Sequence, residues 1–211
     1  MLAEERMNIS VLASHQGTTL QAVLDACLGG ALPARVGVVI SNNSGSGALV
    51  RAQNAGVLTR HLSGKTHPDP VELDQTVCAC LASANTDVVL LAGFMKKLGP
   101  HTLRTYAGRI LNTHPALLPK FGGPGMFGAH VHRAVLDSGD SVSGASVHLV
   151  EEDYDTGPVL AQRSVEVMAD DTPDTLAARV QTAERELVVD VLREFALGIR
   201  SLPTSFPPSL R

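Results

Sequence analysis

Apolar positions along this chain follow two rhythms. Short runs of strand length, Ile9 to Ala13, "ARVGVVIS" from Ala34, "DVVLLAG" from Asp87 and Ile110-Leu111, are rich in β-branched residues and do not alternate with polar ones. Such runs predict strands buried on both faces. The early runs are each followed by a turn with Gly or Ser and then by a helical stretch, as in "LQAVLDACL" from Leu20, where apolar residues recur at helical spacing. Strand, helix, strand, helix predicts a parallel sheet with crossover helices. After Val142 the rhythm changes. "SGASVHLVEE" alternates, and "GPVLAQRSVEV" follows with no room for a helix, which predicts an antiparallel pair closing the sheet. The last long element, "TPDTLAARVQTAERELVVDVLREFALG", predicts a helix capped by Thr172, with Pro173 at its first position and Gly198 as its stop. The expectation is an α/β fold: one mostly parallel twisted sheet flanked by helices, with antiparallel late strands. It divides the chain into an N-terminal extension (1–6), a single domain (7–198) and a Pro-rich C-terminal tail (199–211).

Composition narrows the function. The 211 residues are 44% hydrophobic, enough for a sizeable core, and no apolar run reaches the length that crosses a bilayer. "MLAEERMNIS" lacks the build of a signal peptide, so a cytoplasmic protein is expected. A net charge of −4 without a basic block argues against nucleic acid as a partner and favours small-molecule substrates. Cys27, Cys78 and Cys80 have no paired metal spacing and read as reduced small hydrophobes. His130 and His132, two apart on a predicted helix start, would diverge, so no metal site is expected.

In an open parallel sheet, ligands bind beyond the carboxyl ends of the strands. The first such loop, "SHQGTT" (14–19), precedes a helix beginning near Thr18, so free backbone N–H groups and two hydroxyls are expected to face the crevice and suit a phosphate. It has neither a dinucleotide-binding glycine fingerprint nor a P-loop lysine. A later loop holds Asn112 and His114. In extended chain these point the same way, and Pro115 delays any helix. An amide and an imidazole converging there are the donors that an oxyanion needs, and the histidine can also move a proton. Asp153 and Asp155, in "EEDYDTGP", are candidates to hold that imidazole in its charged form.

"NTHPALLPKFGG" resembles the N-x-H-P-[SA]-L-L-P segment of the folate-dependent formyltransferases, and "SGASVHLVEEDYDTGPVLAQ" resembles their G-x-[ST]-V-H…D-x-G-P-[IV]-[IL]-x-Q segment. The likeness spans roughly Met7 to Gly198. It implies a Rossmann-like formyltransferase fold and is strongest to the members that pass the formyl group of 10-formyltetrahydrofolate, a co-substrate, to the amine of 5'-phosphoribosylglycinamide in purine synthesis. It implies no metal. By the same resemblance Asn112 and His114 are catalytic, and Asp155 raises the histidine pKa. Gly17, Thr18, Thr19, Gln181 and Glu184 hold the nucleotide, while Met95, Lys96, Lys97 and Leu98 form one wall of the folate pocket and Glu151, Glu152, Asp153 and Tyr154 the other. The chain departs from the family in its first loop, where His15 replaces a glycine and Thr18-Thr19 replace Ser-Asn. It departs again in "GGPGMFGAHVH", which is longer than the usual link, and at Pro70, where some relatives place a folate-contacting arginine.

The expected chemistry is direct attack of the amine on the formyl carbon, with the oxyanion held by Asn112 and protonated His114. Two other readings are open: a family member that gives the formyl group to water, and a non-catalytic phosphate-ligand-binding module on the same fold. The hydrolase reading expects an N-terminal regulatory domain, whereas about six residues precede the first strand here; a member acting on tRNA expects a C-terminal domain and more positive charge. A monomer or a homodimer is expected.

Overall fold

The computed structural model describes residues 6–201; most of the extension and of the tail therefore lie outside the described residues. Seven strands run β1 (Met7–Leu12), β2 (Ala34–Ser41), β3 (Leu58–His61), β4 (Val88–Leu91), β5 (Ile110–His114), β6 (Val142–Leu149) and β7 (Val159–Glu166), with helices α1 (Thr18–Leu28), α2 (Gly47–Asn54), α3 (Pro70–Ser83), α4 (Pro100–Thr105), α5 (Ala129–Ser138) and α6 (Pro173–Ala196). The sheet order is β3-β2-β1-β4-β5-β6-β7. Strands β1 to β5 pair in parallel, and β6 and β7 are antiparallel, as the change of rhythm after Val142 predicts.

Apolar runs are buried on both faces because helices cover both. On one side Ile9, Val11, Leu20, Val88, Leu111 and the α6 residues Leu176, Val188 and Leu192 pack together. On the other, Leu12, Ile40, Leu90's neighbours Val89 and Leu91, and Ile110 meet Val77 and Leu81 of α3. Truncating one such leucine, for example Leu192→Ala, costs about 2–5 kcal/mol. Helix α6 starts at Thr172, whose side chain accepts from Thr175 N–H in a capping box, and stops before Gly198 at φ +69°, as read from the sequence.

The alternation in β6 comes without a solvent-facing side, because residues 143 to 148 are all buried. Its polar members Ser146 and His148 are satisfied inside the protein instead of by water. Strand β3 escapes the apolar-run pattern altogether. It is a four-residue edge strand, and its "LTRH" is half-exposed.

Glycines pin the late strands. A Cβ on Gly144 would lie 2.2 Å from the Arg163 carbonyl oxygen, and one on Gly157 would lie 2.0 Å from that of Leu149. Both glycines of the second motif segment thus let β7 and its turn close on β6.

Candidate active site

Strand β5 delivers Asn112 and His114 to one face, and β6 lies against it in antiparallel register with Asn112 opposite His148 and His114 opposite Ser146. Ser146 fixes the chain beyond β5. Its hydroxyl donates to the Ala116 carbonyl and accepts from the Leu118 N–H, while the Gln162 amide donates to Ser146 and to the Leu118 carbonyl. The segment after Pro115 is thereby held as a loop.

Asp155 enters from the β6–β7 turn with a left-handed φ of +56°, a conformation that Asp and Asn tolerate better than most residues. Its carboxylate lies between two imidazoles, 3.4 Å from His114 Nδ1 and 3.4 Å from His148 Nε2. The Gly123 N–H donates to it at 3.0 Å. Burial favours its neutral form, but His148, the Gly123 N–H and His114 together outweigh that and hold the carboxyl below its ordinary value.

The ring states follow from the carbonyls. His114 Nε2 lies 2.7 Å from the Phe121 carbonyl oxygen, which can only accept, so Nε2 carries a proton and Nδ1 is the nitrogen turned toward Asp155. His148 Nδ1 likewise donates to the Leu149 carbonyl at 2.8 Å. Its Nε2 lies 3.0 Å from the Asn112 amide nitrogen and 3.4 Å from Asp155 Oδ1, so it stands between the two. Net, burial pushes His114 below an ordinary histidine, although Asp155 and the Phe121 carbonyl pull it upward. The expectation of a histidine kept charged is corrected on this point: Asp155 acts in the expected direction, and burial outweighs it. His132 is buried beside them and also depressed, by burial and by His114, and its Nδ1 has no hydrogen-bond partner. His130 is exposed.

The loop after β1 leads into α1 through Gly17. Gly17 caps α1 at φ +70°, and a Cβ there would lie 2.6 Å from Ala48 Cα, so α2 can approach only a glycine. The first-turn amides of α1 have no intrahelical acceptor. Thr18 is exposed, as expected, but Thr19 is buried and its hydroxyl donates to Glu184 Oε1 at 3.1 Å. Only one of the two expected hydroxyls therefore faces the crevice. Gln181 is exposed one turn before Glu184 on α6.

A cleft of about 780 Å³ opens beyond β1 to β4, bordered by Met95, Lys96, Lys97 and Leu98 together with His15 and Lys65. Glu151, Glu152, Asp153 and Tyr154 do not line it, nor do the three residues of the β5–β6 cluster. The two expected folate walls meet at one point, where Lys97 Nζ lies 5.8 Å from the Tyr154 ring centre. Among the described residues no three His, Cys, Asp or Glu side chains group as metal ligands.

Sequence reasoning brought Asn112, His114 and Asp155 together and missed His148 as an active partner. The signal for it lay in "ASVHLV", where a histidine continues the alternation of a strand beside β5.

Comparison with known proteins adds independent weight. The chain is 42% identical over 192 residues to the phosphoribosylglycinamide formyltransferase of Escherichia coli (strain K12), covering 91% of this chain and 88% of that one. It superposes on the glycinamide ribonucleotide transformylase 1 of Symbiobacterium toebii with a TM-score of 0.86 at 36% identity, over 92% and 90% of the two chains. A formyltetrahydrofolate deformylase of Pseudomonas syringae pv. tomato is similar in fold, with a TM-score of 0.82 at 24% identity, over 92% of this chain and 63% of that one. The formyl transferase profile matches residues 7–192, and on that span the chain belongs to the formyl transferase family.

Proposed function

We propose that the chain transfers the formyl group of 10-formyltetrahydrofolate to the amine of 5'-phosphoribosylglycinamide, a step of purine synthesis. The observation that carries the reading is the meeting of Asn112, His114 and Asp155 at the carboxyl end of β5, in a chain whose relatives at 35–42% identity bear that enzyme's name over most of its length. The nucleotide phosphate sits on the amides of Gly17, Thr18 and Thr19, with Gln181 and Glu184 beside the sugar. The folate lies against Met95, Lys96, Lys97 and Leu98 and reaches toward residues 151 to 154. We place the enzyme in the cytoplasm, acting on small molecules as a monomer or homodimer; no helix among the described residues is long and apolar enough to cross a membrane.

His114 enters as a neutral ring with its bare Nδ1 toward Asp155. The amine attacks the formyl carbon, a C–N bond forms, and the proton that the amine sheds is taken up at Nδ1 as the tetrahedral oxyanion develops. The second N–H of the Asn112 amide then donates to the oxyanion, and the charged ring beside Asp155 offsets its charge through space. One such preorganised donor is worth about 3 kcal/mol, or roughly 10²-fold in rate. When the bond to the folate nitrogen breaks, that nitrogen receives the proton from Nδ1, so one proton has moved from amine to folate and the ring is neutral again. His148 keeps the Asn112 amide facing the reaction.

The test is formyl transfer followed by the folate absorbance change, with and without the nucleotide. Signal that depends on the nucleotide is expected. Equal signal without it would mean hydrolysis and would remove the nucleotide assignment.

A further inference from the structure

Thr113 stands between Asn112 and His114, and the reaction as set out gives it nothing to do. Strand alternation turns it to the opposite face, the side of Leu111, toward α6. There its hydroxyl donates to Glu184 Oε1 at 2.9 Å. Thr19, in the first turn of α1, donates to the same oxygen at 3.1 Å. One carboxylate oxygen thus joins the helix that opens at the anion loop, the strand that carries the reacting side chains, and α6.

Two donors on one oxygen fix the rotation of the carboxylate. The other oxygen, Oε2, has no hydrogen bond among the described residues, and it is not sealed from solvent. Its direction is therefore set by the two threonines. Burial disfavours the charged form of Glu184, and the hydroxyls of Thr113 and Thr19, with nearby Arg185, favour it. Neither hydroxyl is idle.

We propose that Thr113 is a positioning residue for the nucleotide: with Thr19 it holds the Glu184 carboxylate so that Oε2 meets a hydrogen-bond donor of the bound nucleotide, and it ties that hold to the strand bearing Asn112 and His114. The proposal rests on the reading that 5'-phosphoribosylglycinamide is the acceptor.

The experiment uses the full chain and four variants: Thr113→Val, which keeps the shape and strand preference, Thr113→Ser, which keeps the hydroxyl, Thr19→Val, and the double valine variant. Binding of 5'-phosphoribosylglycinamide is measured by calorimetry, and KM for each substrate and kcat by the absorbance assay. Thr113→Val is expected to weaken nucleotide binding and raise its KM about 10-fold, as for a lost hydrogen bond to a charged group. The folate KM should stay within about two-fold, and Thr113→Ser should restore wild-type binding. The double variant should depart from the product of the singles by about three-fold or more, because both hydroxyls serve one oxygen. Unchanged nucleotide affinity in Thr113→Val, failure of serine to rescue, or independent effects of the two valines would each overturn the proposal. The binding arm does not depend on turnover. A wild type that binds the nucleotide without transferring formyl overturns the acceptor reading alone, and the variants still decide the role of Thr113. A wild type that binds no nucleotide overturns both.

Discussion

The cleft beyond β1 to β4 and the cluster on β5, β6 and the β6–β7 turn handle polar groups in opposite ways. At the first, Lys65, Lys96 and Lys97 stand exposed at the rim of an open cleft, above the buried Ser14, Asp74 and Thr102, whose side chains are paired within the protein. At the second, His114 and His148 are themselves buried, at 3% and 2% exposure, and each is satisfied by a neighbour on another segment. Main-chain amides survive a change of side chain, so under the proposed function the first loop, with His15 and Thr18-Thr19, is expected to keep its amides available to the nucleotide. Chemistry by buried side chains does not tolerate it, because each group is held by the next.

That contrast breaks most severely at Asp155. Asp155→Asn keeps a residue suited to the left-handed backbone and removes the charge shared by two rings, so kcat should fall on the order of 10³-fold with nucleotide KM little changed. A fall in binding with kcat intact would reverse the roles assigned to the two regions. Asn112→Ala and His114→Ala come next, each lowering kcat by about 10²-fold. Rates within a few-fold of wild type for both would remove the β5 cluster from the reaction. In the binding half, Gly17→Ala forces a side chain into left-handed backbone and against α2; the strain should cost about 1–3 kcal/mol of stability and raise nucleotide KM while kcat holds. Kinetics at saturating nucleotide separate the two parameters.

Protonation sharpens the contrast further. His114 and His132 have pKa values below the ordinary 6.5, so the unfolded chain binds more protons than the folded one as pH falls through that value. Stability from these rings is present above 6.5 and is lost as pH drops through and beneath it. Thermal melts should show that loss on acidification, and His132→Asn should flatten it; an unaltered slope would mean that His132 is not held neutral. Histidine NMR titration of Asp155→Asn should find His114 lower still, since the carboxylate that opposed burial has gone. The smallest effect is expected at Ser46, whose hydroxyl accepts from Leu49 N–H at the start of α2. Ser46→Ala should cost about 1 kcal/mol in a melt without touching kcat.

How far the sequence could be read follows from what each residue depends on. Asn112 and His114 were legible because strand alternation is local, and one face of β5 follows from two positions. Asp155 was reached through its motif, and its contact with His114 confirms no local rule, since the turn between β6 and β7 had first to fold back on Gly157. His148 was not legible as a partner: its hydrogen bond to Asn112 spans 36 residues and depends on antiparallel register. Thr113 and Thr19 each look like an ordinary strand residue and helix-start residue until α6 brings Glu184 between them. The direction of the His114 shift failed for a different reason, because it is a balance of burial against charge, and burial appears in no motif.

The sharing of Asp155 by two rings also couples whatever depends on them. Once that carboxylate is gone, His148 has less to orient and His114 less to draw a proton, so further changes at either ring carry little added penalty. Losses at the two rings and at Asp155 are therefore expected to be non-additive, and restoring a histidine alone in a chain that lacks the carboxylate should not bring the activity back.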